Sequence, residues 1–344
     1  MTNKSYNSIS VIGAGAWGTA IASTLSKNQE FINLWAKELE VVNSINTKNE
    51  NNLFLPGINL STKIKAHNDF QFIEMSDLLF FVTPAQYFRK TLEDISNKIN
   101  KSVPIVLCSK GVEIKTLKLM SEIAKNILPD NPIAVLSGPS FAIDVANNLP
   151  TALTLACDTD DVGKKIAETI NSVEFRIYQS RDIIGAQIGG ATKNIIAIAS
   201  GVVYGKGLGD SARSALIARG YSEIVHLAKA MGGEEKTMTG LSGMGDLILT
   251  CNSQTSRNFT LGMKLGRGMN IDEATNGLTS VAEGMFSTKA IVKLAKIHNV
   301  TMPITDSINK LISNESDIDT IIEELLSRPL KEESKNVIFC NLFR

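Results

Sequence analysis

The most restrictive feature of this 344-residue sequence is a glycine-rich turn near its N-terminus, GAGAWG at residues 13–18. The segment before it, Ile9–Ile12, is an apolar β-branched run typical of a buried strand. The segment after it, Thr19–Ser26, has the composition of a helix. The G-x-G-x-x-G spacing is weak evidence alone, but a strand before it and a helix after it are the context that a dinucleotide-binding turn requires.

Each glycine of this turn has a physical task. Gly13 permits the tight turn, Gly15 lets the backbone approach a diphosphate, and Gly18 lets the helix pack against the strand. The diphosphate would lie on free N–H groups at the positive end of the helix dipole. The sequence therefore predicts a bound dinucleotide, the alternative being an ordinary glycine-rich β–α turn.

Up to about residue 180, short apolar runs alternate with amphipathic segments, as in strand–helix units on a parallel sheet. This pattern predicts an α/β, Rossmann-like domain with a mostly parallel sheet over residues 1–185. In such sheets ligands bind at the carboxyl ends of the strands. The predicted strands are Ile9–Ile12, Phe31–Trp35, Lys63–Ala66, Leu78–Thr83, Ile105–Ser109, Ile133–Ser137, Ala152–Ala156 and Phe175–Tyr178.

After about Asp182 the pattern changes to helices with little strand alternation between them. It predicts an all-α domain over residues 186–344 that carries the substrate and catalytic groups. No long linker separates the halves, so we expect the two domains to pack closely. The predicted helices are Ile183–Tyr204, Ala212–Met231, Arg257–Gly266, Val281–His298 and Ile318–Ser327, and the tail from Lys331 receives no assignment.

Composition excludes several classes of protein. Thirty-five basic residues balance 35 acidic ones, so no overall field would attract nucleic acid. Four widely separated cysteines and three scattered histidines show no metal-binding spacing and favour the reduced thiols of a cytosol. The longest strongly apolar run, Leu78–Val82, is far shorter than a membrane helix. We expect a cytoplasmic protein with no metal, nucleic-acid partner or membrane span.

The end of the second predicted strand should contact the adenosine ribose of a dinucleotide. A carboxylate there accepts hydrogen bonds from the ribose hydroxyls of NAD, whereas a cation suits the 2′-phosphate of NADP. In this sequence Lys37 favours a phosphate, and the adjacent Glu38 opposes it. The choice between NAD and NADP therefore stays open, as does a purely solvated role for Lys37.

Lys193 is the one cation in the middle of an apolar helical stretch, Gln187–Ala199. Burial of an ammonium costs several kcal/mol or so unless it is paired, and it lowers the pKa. Gly189 and Gly190 precede Lys193 by one helical turn, which predicts that they clear space for a ligand beside its side chain. A lysine facing such a space can transfer a proton near neutral pH, the alternative being a lysine that reaches solvent at the domain boundary.

Further polar residues lie at the end of a predicted strand, among glycines, or at the starts of predicted helices. Lys110 follows the fifth predicted strand, at the edge where an anionic substrate or the cofactor would bind. Asp246 lies among glycines and is a candidate partner for Lys193, or an Asx turn. The set Ser256-Arg257-Asn258 opens a helix and suits a phosphate, or is an N-cap beside a surface arginine. Ser140 and Glu283 also open helices, and alone are consistent with capping.

Taken in order, these motifs resemble the bacterial type of NAD(P)-dependent glycerol-3-phosphate dehydrogenase. The resemblance extends from about Ile9 to Pro329, and the set of motifs together is highly specific. Ala16 stands where the family often has serine, and Glu38 where members preferring NADP often have a basic residue. The motifs are GAGAWGTA from Gly13, SKG from Ser109, SGPSFA from Ser137, GGATKN from Gly189, GMGDL from Gly243, SRN from Ser256 and VAEG from Val281.

The resemblance implies reduction of dihydroxyacetone phosphate to sn-glycerol 3-phosphate by hydride transfer from NAD(P)H. It implies Lys193 as the proton donor and acceptor, and also a homodimer that supplies glycerol 3-phosphate for phospholipid synthesis. The implied substrate residues are Lys110, Gly138, Ser140, Lys193, Asp246, Ser256, Arg257 and Asn258. The implied cofactor residues are Gly13, Gly15, Ala16, Trp17, Gly18, Lys37, Lys110, Ala142, Arg257, Val281 and Glu283.

Two other functions fit part of the pattern. A 3-hydroxyacid dehydrogenase or related reductase also joins a dinucleotide domain to a helical one and uses a lysine. The phosphate-binding pattern at residues 256–258 discriminates against it, since only a phosphorylated substrate needs that pattern. A regulator that binds NAD(H) without chemistry has no need of the acid–base group at Lys193.

Overall fold

A computed structural model of the chain describes residues 6–276 and 282–327. Its first half is built on one eight-stranded sheet in the order β3-β2-β1-β4-β5-β6-β7-β8. Neighbouring strands are parallel, except that β6 and β7 are antiparallel. The strands are β1 Ile9–Ile12, β2 Ile32–Trp35, β3 Ile64–His67, β4 Leu78–Phe81, β5 Ile105–Leu107, β6 Ile133–Ser137, β7 Thr151–Cys157 and β8 Phe175–Ser180.

Six helices accompany the sheet, and the described part of the second half is helical. The first six are α1 Ala16–Leu25, α2 Leu39–Lys48, α3 Ala85–Ile95, α4 Met120–Ile127, α5 Ala142–Ala146 and α6 Asp160–Ile170. The others are α7 Ile183–Gly205, α8 Gly209–Ala230, α9 Glu235–Met238, α10 Asp246–Cys251, α11 Arg257–Gly266, α12 Ile271–Thr275, α13 Glu283–Ile297, α14 Pro303–Ile312 and α15 Ile318–Leu326.

The central strands are buried on both faces. Every residue of β1 and β4 is buried, and one hydrophobic cluster lies on each side of the sheet. Val11 and Phe80 belong to one cluster, whereas Ile12 and Phe81 belong to the other. Helices cover both faces of parallel sheets, so such strands are continuous apolar runs in the sequence.

The helical half is organised around α7, which is buried over most of its length. Glycines let α11 approach α7 closely. A Cβ atom at Gly262 would lie 1.9 Å from the carbonyl oxygen of Ile198, and one at Gly201 would lie 2.1 Å from that of Phe259. This arrangement fixes the position of Lys193 in the middle of α7 relative to the neighbouring helices.

The predicted fold class is confirmed, with all eight strands found within a few residues of their predicted positions. In the second half, the sequence analysis did not identify α9, α10, α12, α14 or the π-helical turn Leu241–Gly245. The predicted boundary between residues 185 and 186 lies in the first turn of α7 and stays a prediction. No helix in the described ranges has the length and apolarity needed to span a membrane. The unassigned tail from Lys331 lies outside the described residues.

Candidate active site

A carboxylate between two ammonium groups forms the centre of the candidate site. Asp246 accepts a hydrogen bond from the Nζ of Lys193 on one oxygen, Oδ1. Its other oxygen, Oδ2, accepts from the Nζ of Lys110 at 2.8 Å. Asp246 is 1% exposed, Lys193 is 7% exposed, and the Lys110 side chain is 17% exposed. The predicted pairing of Asp246 with Lys193 is therefore confirmed.

The electrostatics of this cluster follow from its burial. Burial lowers the pKa of Lys193 to about 8, with the charge of Asp246 opposing that effect and the charge of Lys110 adding to it. Burial alone would raise the pKa of Asp246, but Lys110 and Lys193 together outweigh burial and hold that pKa below its usual range. The carboxylate is thus ionised, and Lys193 can exchange a proton near neutral pH.

The π-helical turn Leu241–Gly245 places Asp246 beside α7. A Cβ atom at Gly189 would lie 2.4 Å from the carbonyl oxygen of Ser242, so this glycine permits contact between two backbones. A Cβ atom at Gly190 would lie 3.1 Å from the Oγ of Ser137. The expectation that these two glycines clear space for a ligand is therefore wrong, because protein atoms already occupy that space.

Lys110 connects the cluster to the end of β6. Its Nζ also donates to the carbonyl oxygen of Gly138 at 3.3 Å, and the Oγ of Ser140 donates to the same oxygen at 3.2 Å. Gly138 has a φ of +147°, a conformation that favours glycine. Lys110, Gly138, Ser140, Lys193 and Asp246, which come from distant parts of the sequence, thus meet at one place.

The glycine turn fits a diphosphate. A Cβ atom at Gly15 would meet no atom of the described residues within 4 Å, so the backbone there is open to a ligand as far as these residues extend. Gly15 is the N-cap of α1, and no side chain in residues 6–276 or 282–327 caps that helix, which leaves its first N–H groups available to an anion. By contrast, a Cβ atom at Gly18 would lie 1.8 Å from the carbonyl oxygen of Gly13, so Gly18 permits close packing of the turn.

Other cofactor candidates lie around this turn. The buried Nε1 of Trp17 has no hydrogen-bond partner in the described part of the chain. Ala142 is the first residue of α5, and its side chain packs on the same core cluster as Ala16. These positions bring α1 and α5 together beside the glycine turn.

The ribose-contacting candidates are exposed at the end of β2. Lys37 and Glu38 are both exposed, and Glu38, the N-cap of α2, makes no side-chain capping bond to any residue that the structure describes. The Lys37 ammonium lies 5.8 Å from the centre of the Tyr87 ring, near the start of α3. Both charged groups therefore remain accessible at the carboxyl edge of the sheet.

The segments that follow β1, β4 and β5 contact one another, and the segment after β5 carries Lys110. The Oγ of Ser109 donates to the carbonyl oxygen of Thr83, which follows β4. A Cβ atom at Gly13 would lie 2.9 Å from the carbonyl oxygen of Val82, one residue earlier. A Cβ atom at Gly111 would lie 2.7 Å from the Cβ of Ala85. The carboxyl ends of β1, β4 and β5 therefore line one edge, as predicted.

The start of α11 carries two side chains that are hydrogen-bonded within the protein and one that is exposed. Ser256 is the N-cap, and its Oγ accepts from the backbone N–H of Phe259 at 3.2 Å. The side chain of Asn258 donates to Asn194 at 3.0 Å and accepts from the backbone N–H of Gly284 at 3.0 Å. The Ser256 and Asn258 side chains thus hold helices together, whereas Arg257 is exposed.

Glu283 is the first residue of α13. Burial raises its pKa, against the lowering effect of the positive charges on Arg257, Lys110 and Lys193. Its carboxyl group therefore belongs to the electrostatic surroundings of the lysine cluster. Val281, the other candidate from the same motif, lies outside the described residues.

Metal and thiol candidates add little to the site. Within residues 6–276 and 282–327, no three or more His, Cys, Asp or Glu side chains are grouped to hold a metal ion. Cys108, Cys157 and Cys251 are free and buried. Cys340 lies outside the described residues.

Comparison with known proteins places the chain among dehydrogenases. Sequence profiles of the N-terminus and C-terminus of NAD-dependent glycerol-3-phosphate dehydrogenase match residues 8–162 and 182–323. Glycerol-3-phosphate dehydrogenase [NAD(P)+] of Parvibaculum lavamentivorans is 47% identical over 96% of this chain and 99% of its own length. The Maricaulis maris protein of that name is 46% identical, with the same coverage.

The chain belongs to the NAD-dependent glycerol-3-phosphate dehydrogenase family. A solved structure agrees: the crystal structure of glycerol-3-phosphate dehydrogenase from Coxiella burnetii matches with a TM-score of 0.90 and 35% identity. That match covers 94% of this chain and 99% of the other. The family resemblance drawn from the motifs is therefore confirmed.

Sequence reasoning missed two residues in this member of the glycerol-3-phosphate dehydrogenase family. The Oγ1 of Thr250 accepts a hydrogen bond from Lys193 at 2.8 Å, and Asn194 anchors the side chain of Asn258. Thr250 lies four residues after Asp246, so helical spacing would have placed both on one face. Asn194 is adjacent to Lys193 and therefore projects from a different side of α7, towards α11.

Proposed function

We propose that the protein is an NAD(P)-dependent glycerol-3-phosphate dehydrogenase that interconverts dihydroxyacetone phosphate and sn-glycerol 3-phosphate. The observation that carries this proposal is the buried ion pair of Lys193 with Asp246 in a chain of this family. Relatives at 46–47% identity over 96% of the chain carry the name glycerol-3-phosphate dehydrogenase [NAD(P)+], which supports the same reaction.

The residues of the glycine turn fit the cofactor. Gly13, Gly15 and Gly18 shape a backbone cradle whose open N–H groups suit the diphosphate. When bound, NAD(P)H supplies a hydride for reduction of the ketone, and NAD(P)+ accepts one in the reverse reaction. We assign further cofactor contacts to Ala16, Trp17, Lys37, Lys110, Ala142, Arg257, Val281 and Glu283.

Lys193 transfers the proton in this proposal. As the carbonyl oxygen of the substrate becomes an alkoxide, the Lys193 ammonium donates a proton to it. Asp246 and Thr250 hold the amine by hydrogen bonds, which fixes its direction before the substrate arrives. The charge of Lys110 stabilises the developing alkoxide. In the oxidation of glycerol 3-phosphate, neutral Lys193 takes the hydroxyl proton instead.

The substrate phosphate is assigned to the start of α11. The exposed Arg257 guanidinium suits a phosphate, and the helix N-terminus adds positive potential. The Ser256 and Asn258 side chains are engaged within the protein, so they support this region by positioning its backbone. Gly138 and Ser140 complete the proposed substrate residues beside Lys110.

The proposal includes features carried by the family resemblance alone. They are a homodimer in the cytoplasm, a division into domains at residues 185 and 186, and supply of glycerol 3-phosphate to phospholipid synthesis. The choice between NAD and NADP is left to measurement, because Lys37 and Glu38 are both exposed at the ribose end.

A direct assay tests this function. The purified protein should oxidise NADH or NADPH only when dihydroxyacetone phosphate is present, with glycerol 3-phosphate as the product. Lys193→Met keeps the side-chain length and removes the proton carrier, so kcat should fall by at least the ~10²–10⁴-fold typical of acid–base groups. Cofactor binding by the variant, measured by fluorescence titration, should change little. A parent protein without ketone-dependent oxidation would overturn the proposal.

A further inference from the structure

The buried position of Lys193 raises the question of where its replacement proton comes from. After each reduction the lysine is neutral, and it must regain a proton before the next turnover. Lys193 as a whole residue is only 7% exposed, so it has little contact with bulk water. Its route to solvent therefore depends on the groups that accept its hydrogen bonds.

Within the described residues Lys193 has two hydrogen-bond acceptors, Asp246 and Thr250, and the second of these leads away from solvent. Thr250 is 3% exposed, and its hydroxyl donates its single proton to the carbonyl oxygen of Asp246 at 2.6 Å. Cys251, the next residue, is also buried, and burial raises its thiol pKa to about 12. Neither group can pass a proton inward from water, because neither one reaches the surface.

The other acceptor, Asp246, connects Lys193 to a more exposed side chain. Asp246 binds Lys193 through Oδ1 and Lys110 through Oδ2, so the carboxylate joins the buried ammonium to the more exposed one. The Lys110 side chain is 17% exposed and follows β5 at the ligand edge of the sheet. This is a continuous chain of hydrogen bonds from partly exposed nitrogen to buried nitrogen.

We propose that Lys110 resupplies the proton of Lys193 through the carboxylate of Asp246. An N–H bond of Lys110 breaks as its proton binds Oδ2. A half-turn of the carboxyl group about Cβ–Cγ, a soft and nearly two-fold torsion, then brings that proton to Lys193. The O–H bond breaks, the amine of Lys193 becomes ammonium, and hydronium or a buffer acid in the solvent returns a proton to Lys110. The oxidation of glycerol 3-phosphate runs this route in reverse, with the proton leaving through Lys110.

This inference rests on the proposed dehydrogenase function and adds a role to Lys110 beyond contact with substrate or cofactor. Glu283 and Arg257 add charge around the cluster but are not needed for the route. The route assigns no part in the first reduction to the proton of Lys110, since Lys193 begins that turnover protonated. First and later turnovers should therefore respond differently to changes at Lys110.

Lys110→Arg is the decisive variant. Arginine keeps a positive charge and hydrogen-bond donors for Asp246, but its guanidinium does not release a proton at working pH. Rapid mixing of the enzyme with NAD(P)H and saturating dihydroxyacetone phosphate should show a first turnover slower than that of the parent, because Lys110 also contacts the substrate in the proposed function. Later turnovers of the variant should be slower than its own first turnover by about a further tenfold or more, which gives a burst of one cofactor per active site.

Small amines provide the second measurement, since product release can also produce a burst. Methylamine or ammonium should restore the later turnovers of Lys110→Arg in proportion to its concentration and leave the parent unaffected. Lys115→Arg, at an exposed lysine five residues along, is the matched control and should behave as the parent.

The outcomes separate the two proposals. Equal loss in first and later turnovers, without amine rescue, would overturn the proton route and assign Lys110 to substrate contact alone. Parent-like steady-state turnover in Lys110→Arg would overturn it as well. A parent enzyme that does not reduce dihydroxyacetone phosphate would instead overturn the proposed function.

Discussion

At the scale of single residues, the chemistry depends on how far burial shifts one lysine. An ordinary lysine, with a pKa of 10.5, is almost fully protonated at neutral pH and is a poor proton acceptor. Burial of Lys193 lowers its pKa to about 8, where the protonated and neutral forms are both populated. One residue can therefore serve reduction and oxidation.

The pH dependence follows with opposite signs in the two directions. Reduction needs protonated Lys193, so kcat/KM for dihydroxyacetone phosphate should fall about tenfold per pH unit above about 8. Oxidation needs the neutral amine, so kcat/KM for glycerol 3-phosphate should rise with pH and level off above about 8. Initial rates from pH 6 to 10 check both profiles. A reduction profile that stays flat to pH 10 would contradict the role of Lys193.

Arg257 tests the phosphate assignment. Its replacement by alanine removes one charge-assisted contact, so KM for dihydroxyacetone phosphate should rise by roughly the equivalent of 1.5–3 kcal/mol. Arg267→Ala, at the exposed C-terminal end of the same helix, is the matched control and should leave KM unchanged. Unphosphorylated dihydroxyacetone should be a poor substrate for both parent and variant. If both ketones lost activity equally in Arg257→Ala, the residue would serve the fold or the cofactor.

At the scale of elements, α14 is held by a buried carboxylate on α8. Glu223 accepts from the backbone N–H groups of Ile304 and Thr305 at 2.7 and 3.1 Å, and from the Thr305 hydroxyl at 2.9 Å. These are otherwise unpaired groups of the first turn of α14. Burial raises the pKa of Glu223 to about 7, with the three hydrogen bonds opposing the shift.

Glu223→Ala should lower the free energy of unfolding by about 1–3 kcal/mol, because two buried N–H groups lose their acceptor. A folded-state pKa above the unfolded one of 4.5 means that the group stabilises the fold most at low pH. The loss should thus be larger at pH 5 than at pH 8, as measured by urea unfolding. Glu315→Ala, at an exposed position, should change little. Equal losses at both pH values would contradict burial of this carboxylate.

The strands and helices also show which features of the structure can be predicted from the sequence and which cannot. The central strands β1 and β4 are buried on both faces and are continuous apolar runs, which made them predictable. The edge strands β3 and β8 are partly exposed, and their short alternating runs also indicated strands. The lysine in an apolar helix and the glycine turn identified the chemical groups of the site. The role of Gly189 could not be predicted, because a glycine that admits a ligand and one that admits a backbone look alike in sequence. The role of Glu223 could not be predicted either, since its partners are backbone groups about 80 residues away in the sequence.

At the scale of the whole molecule, the two halves share contacts. Val112 and Leu119, from the segment between β5 and α4, belong to the hydrophobic core of the helical half together with Ile188 and Ile195. Gln187 on α7 donates to the Oγ of Ser121 at 2.7 Å and accepts from its N–H at 3.0 Å. Unfolding of either half therefore exposes apolar surface of the other, which couples their stabilities.

This coupling predicts one unfolding transition for the whole chain. The two tryptophans, Trp17 and Trp35, lie in the sheet half, so their fluorescence reports on it, whereas circular dichroism at 222 nm is dominated by the helices of the other half. Urea should move both signals at the same midpoint.

Val112→Ala removes two methyl groups from the shared core and should lower both midpoints together, by about 1–3 kcal/mol of unfolding free energy. Val173→Ala is the matched control, because that valine is 84% exposed and its truncation should change neither midpoint. If the halves were independent, Val112→Ala would shift the circular dichroism transition and leave tryptophan fluorescence in place. Two separated transitions in the parent would also show that the halves unfold independently, and the ion pair between Lys110 of the sheet half and Asp246 of the helical half would then be too weak to couple them.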